Sequence, residues 1–104
     1  MGERTKATDT KHIRQEILER DNYNCVGCGT TQALTIAHVF VNRSHGGLAV
    51  KENLCVLCMD CHHQMDNGKK HEQDLIRLKV QSYMIELYGI INVKKLKYYK
   101  WEQL

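Results

Sequence analysis

ENLCVLCMDCHHQMDNG, residues 52–68, sets three cysteines, two adjacent histidines, an asparagine and an aspartate in one short run. Cys58 and Cys61 form a Cys-x-x-Cys pair within it, and a second pair, Cys25 and Cys28, stands upstream across 29 intervening residues. Each pair offers two soft thiolates on a tight turn, and two pairs complete a closed tetrahedral site of the kind that holds structural zinc. The separation exceeds that of common zinc fingers and leaves room for a hairpin between two knuckles. Cys55 and Cys58 have the same spacing, so an alternative second pair stays open. Cys55 lies in the apolar run LCVL, residues 54–57, where a thiol acts as a small buried hydrophobe. The preferred ligands are therefore Cys25, Cys28, Cys58 and Cys61. Such a site stabilises a fold and does no chemistry of its own.

Working outward, a chain of 104 residues holds one small domain with a limited apolar core. A metal staple suits that size. No apolar run is long enough to span a bilayer and the polar N-terminus lacks a secretory signal, so no membrane association and a cytoplasmic location are expected. In that compartment thiols stay reduced, and five cysteines point to metal binding rather than disulfides. The formal charge is +3, which four thiolates around one Zn²⁺ would bring to about +1. Distribution is more informative than the total. Residues 1–67 carry 7 Lys/Arg against 8 Asp/Glu, whereas residues 68–104 carry 8 against 4, placing a phosphate-binding surface toward the C-terminus.

Residues 1–9 are polar and aperiodic and read as a flexible leader. From Thr10, Ile13, Ile17 and Leu18 among good helix formers predict a helix to about Asp21, with Asp9 or Thr10 as its cap. Residues 33–41, ALTIAHVFV, predict a strand. A polar loop containing Gly46 and Gly47 follows, then a second short strand over residues 54–57. Residues 60–67 read as a short helix, with Asn67 and Gly68 as a left-handed stop. A longer amphipathic helix ends at Gly89, with Leu75, Leu78, Ser82 and Ile85 on its apolar stripe. The tail, residues 90–104, mixes four lysines with two tyrosines and a tryptophan. Its aromatics either pack on the last helix or stack on bases, and packing is favoured because aromatic side chains usually bury their area.

His62 and Asp66, four apart on the short helix, share a face and make a two-residue platform for a divalent ion. His38 sits among apolar residues of the first strand, where a lone histidine is more often a satisfied, half-buried side chain than a catalyst. The order of the whole set shifts that balance: a strand histidine, a Gly-Gly loop, Asn53-Leu54, then Cys-x-x-Cys-His.

In that order the sequence resembles the HNH endonucleases, the zinc-stapled ββα-metal (His-Me finger) nucleases, and is most similar to small stand-alone members encoded by bacteriophages and prophages. The resemblance rests on IRQEILERDNYNCVGCG (13–29), IAHVFVNRSHGG (36–47), ENLCVLCMDCHHQMDNG (52–68) and YMIELYG (83–89). It implies an α+β fold in which a small ββα-metal core with a four-cysteine zinc knot is flanked by an N-terminal and a longer C-terminal helix, the nuclease domain spanning residues 10–89. It implies a metal-dependent DNA endonuclease. His38 matches the general base that deprotonates the attacking water, Asn53 the asparagine that pins the loop and orients the base, and His62 the last histidine, a ligand of the catalytic ion. Asp66 matches a further ligand position. The cofactors implied are structural Zn²⁺ and a catalytic Mg²⁺, Mn²⁺, Ni²⁺ or Zn²⁺. DNA is the implied partner, and phage packaging proteins a further one, with work in the host cytoplasm.

Two departures bear on the site. Members usually carry Asp or His just before the base, and this chain has Ala37. Counting back from Arg43-Ser44 instead puts His38 in the metal-ligand slot and Val39 in the base slot; one extra residue in the turn restores His38 as base. His45 is a second candidate for base or phosphate contact. Arg43, His45, Lys94, Lys95 and Lys97 are candidate nucleic-acid contacts, each with an ordinary solvated surface charge as the plainer reading. His12, His63 and His71 read as surface side chains. The rival function is a non-catalytic zinc module that binds DNA or protein.

Overall fold

β1 (Leu34–His38) and β2 (Leu54–Cys58) pair antiparallel, Leu34 opposite Cys58 and His38 opposite Leu54. They belong to a computed structural model that describes residues 7–97. Three α-helices accompany them among the described residues: α1 (Arg14–Arg20), α2 (Met59–Asn67) and α3 (Lys70–Tyr88). Short 3-10 turns occupy Arg43–His45, Lys51–Asn53 and Val93–Leu96. The result is a small mixed α+β arrangement, and among the described residues no helix is long and apolar enough to cross a membrane.

Alternation along the strands divides the core into two layers. Ala37, Cys55 and Leu57 pack with Met65 of α2 and with Ile76, Val80 and Met84 of α3. Ile36, Leu54 and Val56 pack with Ile17 and Leu18 of α1. β2 is thus covered on both faces, which is why all five of its residues are buried and why LCVLC is a continuous apolar run.

Both strand ends have a local cause. β1, expected to reach residue 41, stops at His38 because Asn53 captures the chain beyond it. The Asn53 carbonyl accepts from the Val39 N–H at 2.7 Å, and its side-chain Oδ1 accepts from Phe40 and Val41 N–H at 2.9 and 3.1 Å. Its Nδ2 donates to the Val41 and Leu48 carbonyls, both at 3.1 Å. The loop then folds back at Gly46 and Gly47. Gly46 takes φ 85°, and a Cβ on Gly47 would lie 1.9 Å from the Val41 carbonyl oxygen. Only glycine fits that approach. β2 ends where Cys58 caps α2, its Sγ accepting from the Cys61 N–H at 3.4 Å.

Several helix expectations are corrected. α1 begins at Arg14 rather than Thr10; Asp9 Oδ1 accepts from the Lys11 N–H and Ile13 N–H bonds back to Thr10, so those residues form a preceding turn. Gly68 is extended at φ −71°, not left-handed; it is glycine because a Cβ would lie 2.5 Å from the Gln64 carbonyl oxygen. In α3, Leu75, Leu78, Ser82 and Ile85 face solvent, and Ile76, Val80 and Met84 are buried instead. Gly89 ends α3 as expected, at φ 78°.

Residues at the two ends of the described chain are packed. Within the stretch read as a leader, the Ala7 carbonyl accepts from the Ala49 N–H at 2.8 Å and Thr8 is buried. Toward the C-terminus, Leu96 is buried, its carbonyl accepts from the Leu48 N–H at 2.7 Å, and Lys97 bridges Gly47. The aromatic part of the tail, residues 98–104, lies outside the described residues.

A buried hub ties the layers together. Asp21, just past α1, accepts from Arg20 Nε at 2.8 Å, from the Val56 N–H at 2.9 Å and from the Tyr83 hydroxyl of α3. Arg20 also donates to the Lys51 and Leu54 carbonyls and to the Tyr88 hydroxyl. Burial and the bond to Asp21 push the Tyr83 hydroxyl up to about 12.

Candidate functional site

Two sites stand side by side, one on each half of the 52–68 run. In the first, the Sγ atoms of Cys25, Cys28, Cys58 and Cys61 all lie within 4.8 Å of one another. Four sulfurs bound tetrahedrally about 2.3 Å from one ion stand about 3.8 Å apart, and Cys28 Sγ and Cys58 Sγ are separated by 3.8 Å. Backbone donors support the thiolates: Gly27 and Cys28 N–H point at Cys25 Sγ at 3.3 and 3.4 Å. Burial works against the Cys25 thiolate, but the backbone groups of Cys58, Cys28 and Gly27, together with the Cys61 side chain, outweigh it and bring the group down to about 7. Gly27 is required for the approach, since a Cβ there would meet Cys61 Sγ at 2.8 Å and Ile76 Cδ1 at 3.0 Å. The residues therefore fit a structural metal ion such as zinc. Cys55 lies outside this group; fully buried in the core, it has its thiol pushed up by desolvation and is held protonated. This removes the alternative Cys55/Cys58 pairing.

The second site is a cleft of about 410 Å³. One wall is the end of β1 and the loop after it, bringing His38, Asn42, Arg43 and Ser44. The opposite wall is helical: His62, Asp66 and Asn67 from α2, and Arg77 from α3. Two guanidinium groups and one carboxylate facing a polar cleft suit an anion beside a cation.

His38 is 9 % exposed, and its Nε2 is buried without a hydrogen-bond partner. The backbone of Thr8 bonds the ring and favours its charged form, as a carbonyl acceptor does. With Nε2 unpartnered, Nδ1 is the nitrogen so held, and Nε2 carries the lone pair. Burial lowers the affinity of His38 for a proton, and the nearby charges of Arg43 and His62 lower it further. The Asn53 oxygens, expected to hold this ring, are taken up by Val39, Phe40 and Val41 N–H. Asn53 is fully buried and fixes the loop, touching the backbone of Val39, Phe40, Val41 and Leu48. Val39 is fully buried in the core, away from the cleft.

His62 Nε2 and Asp66 Oδ2 stand 3.4 Å apart on the partly exposed face of α2. Two ligands about 2.1 Å from one ion at roughly tetrahedral angle take that separation, so the pair fits a divalent ion with water completing its shell. Among the described residues, the four cysteines are the one group of three or more His, Cys, Asp or Glu side chains that converge so closely. His38 therefore does not join His62 and Asp66 as a third ligand.

The remaining candidates scatter. His45 is exposed and does not line the cleft. Lys94, Lys95 and Lys97 are exposed on the segment that docks against the 46–48 loop. His63 pairs with Asn67 on the surface at 3.4 Å. Arg77 was not singled out in the sequence, where it is one basic residue of a basic third; its Nη2 donates to the Met65 carbonyl at 3.2 Å, which holds it across the α2–α3 junction at the cleft. No family model, curated protein or solved structure matches the chain.

Proposed function

We propose that the chain is a metal-dependent DNA endonuclease of the HNH type, with β1, β2 and α2 as its ββα core and one structural zinc in the cysteine knot. The observation that carries this reading is His38: its Nε2 is buried and unpartnered, and the residue lines one cleft with His62, Asp66 and two arginines. An unpaired polar atom in that position costs free energy in the resting fold, and a reaction that uses its lone pair accounts for its retention.

In this reading the scissile phosphodiester lies in the cleft, with its oxygens against Arg43 and Arg77. His38 Nε2 takes the proton of a water aimed at phosphorus, and Thr8 keeps Nδ1 protonated so that only Nε2 can accept. His62 and Asp66 would hold the divalent ion; when bound, it supplies positive charge at the phosphate and the departing 3′-oxygen. Mg²⁺, Mn²⁺, Ni²⁺ and Zn²⁺ all suit an imidazole-carboxylate pair.

Plasmid cleavage in the presence of Mg²⁺, Mn²⁺ or Ni²⁺ tests the proposal. Conversion of supercoiled DNA to nicked or linear forms is expected, with loss of about 10²- to 10⁴-fold in His38→Ala. Absence of cleavage with every ion, by zinc-loaded folded protein, would leave the non-catalytic zinc module as the better account.

A further inference from the structure

Thr35 of β1 sits under α2, and its single hydroxyl is 2.7 Å from two groups: the Leu57 carbonyl oxygen and His62 Nδ1. A carbonyl oxygen can only accept, so the one hydroxyl proton goes to Leu57. Toward His62, Thr35 Oγ1 must then accept, which requires the proton of the neutral imidazole to be on Nδ1. The lone pair is left on Nε2, the atom that stands 3.4 Å from Asp66 Oδ2. A β-branched side chain in a strand has a restricted χ1, and Leu57 is the cross-strand partner of Thr35, so the hydroxyl is held in this orientation from two directions.

We propose that Thr35 is a positioning residue that fixes His62 as its Nδ1–H tautomer and aims Nε2, together with Asp66, at one divalent cation. The proposal rests on the reading that His62 and Asp66 hold the ion of a nuclease site. It adds the residue that makes His62 a ligand with the correct nitrogen. An imidazole free in solution interconverts between tautomers, so without an acceptor at Nδ1 part of the population would present an N–H to the ion. Hydrogen-bond partners of this kind on ligating histidines are typically worth about 10- to 100-fold in metal affinity.

Two measurements on zinc-loaded, full-length protein test it. The first is the two-bond ¹H–¹⁵N correlation pattern of the His62 ring, assigned by difference with His62→Gln, near pH 8.5 and so about two units above an ordinary imidazole. Wild type and Thr35→Ser are expected to show the Nδ1–H pattern, and Thr35→Val is expected to lose it. The second is Mn²⁺ affinity by titration. Thr35→Val is expected to weaken it about 10- to 100-fold while Thr35→Ser restores most of it. A wild-type Nε2–H pattern, or Mn²⁺ affinity unchanged in Thr35→Val, would overturn the role of Thr35 while leaving ion-dependent cleavage intact. An Nδ1–H pattern in a wild-type protein that takes up no Mn²⁺ would instead overturn the ion site itself, and the nuclease reading with it. The wild-type tautomer needs no variant, so a Thr35→Val protein that fails to fold does not remove the test.

Discussion

At the scale of single residues, His38 makes a pH-dependent claim with a definite sign. Burial holds its folded-state pKa below the ordinary value of 6.5. In the window between the lowered pKa and 6.5 the unfolded chain binds the proton and the folded chain does not, so stability rises with pH there. The contribution is complete above 6.5 and is lost as pH falls into that window. Cleavage follows the same group: kcat/KM is expected to be flat from about pH 7 upward and to fall in acid with an apparent pKa below 6.5, as a pH-rate profile would show. Asn53 makes a purely structural claim. Its truncation in Asn53→Ala strands two N–H groups and two carbonyls around a buried site, each worth about 1–3 kcal/mol where water cannot reach. Urea unfolding of that variant should show one of the largest losses of any single substitution. The sequence singled out His38, Asn53 and His62 by type and order, and the structure places His38 and His62 on one cleft and Asn53 beneath its loop. Thr8, Thr35 and Arg77 were not singled out. Thr8 acts through a backbone group, Thr35 through a hydroxyl set by strand pairing, and Arg77 through where α3 lands.

At the scale of elements, α3 shows why periodicity alone selected the wrong face. Apolar residues occur almost all round it, so both Leu75-Leu78-Ile85 and Ile76-Val80-Met84 make a helical stripe. The choice is made by polar neighbours that find partners only when the second stripe faces inward. Tyr83 reaches Asp21, Lys79 Nζ donates to the Gly27 carbonyl at 2.6 Å, and Arg77 reaches Met65. Those partners lie 12 to 62 positions away in the chain, beyond any local pattern. The two strands and three helices were otherwise legible, because β-branched and apolar runs, helical periodicity and the cysteine pairs are local signals. The corrected face has a measurable consequence. Leu75→Lys and Leu78→Lys, 67 % and 66 % exposed in the wild type, should change stability by no more than about 0.5 kcal/mol. Ile76→Ala and Met84→Ala should each cost about 2–5 kcal/mol. Chemical denaturation of the four variants separates the two registers. The same packing delivers Arg77 to the cleft, so Arg77→Ala should weaken DNA binding without disturbing the core.

At the scale of the whole molecule, the cysteine knot is the joint on which the other contacts depend. Its first knuckle is fastened to β2, with Val26 N–H on the Val56 carbonyl at 2.9 Å, and to α3 through Gly27. Its second knuckle is the start of α2, the helix that carries His62 and Asp66. Cys25, Cys58 and Cys61 are buried, so without an ion several thiol groups would be crowded together in a small core that has little apolar area to spare. Binding free energy at such a site is folding free energy, and structural zinc sites supply about 10–16 kcal/mol of it in apparent terms at neutral pH. One tightly held zinc per chain is therefore expected to survive dialysis and appear in native mass spectra, while a second divalent ion exchanges freely. Stripping the zinc with a strong chelator should collapse the cooperative thermal transition and, with it, any cleavage activity, even when Mn²⁺ is restored. Cys58→Ser should do the same, whereas Cys55→Ala should retain the zinc and cost only the packing of a small buried group. A chain that lost all metal yet kept its thermal transition would show the four sulfurs to be a core of free thiols rather than a ligand set.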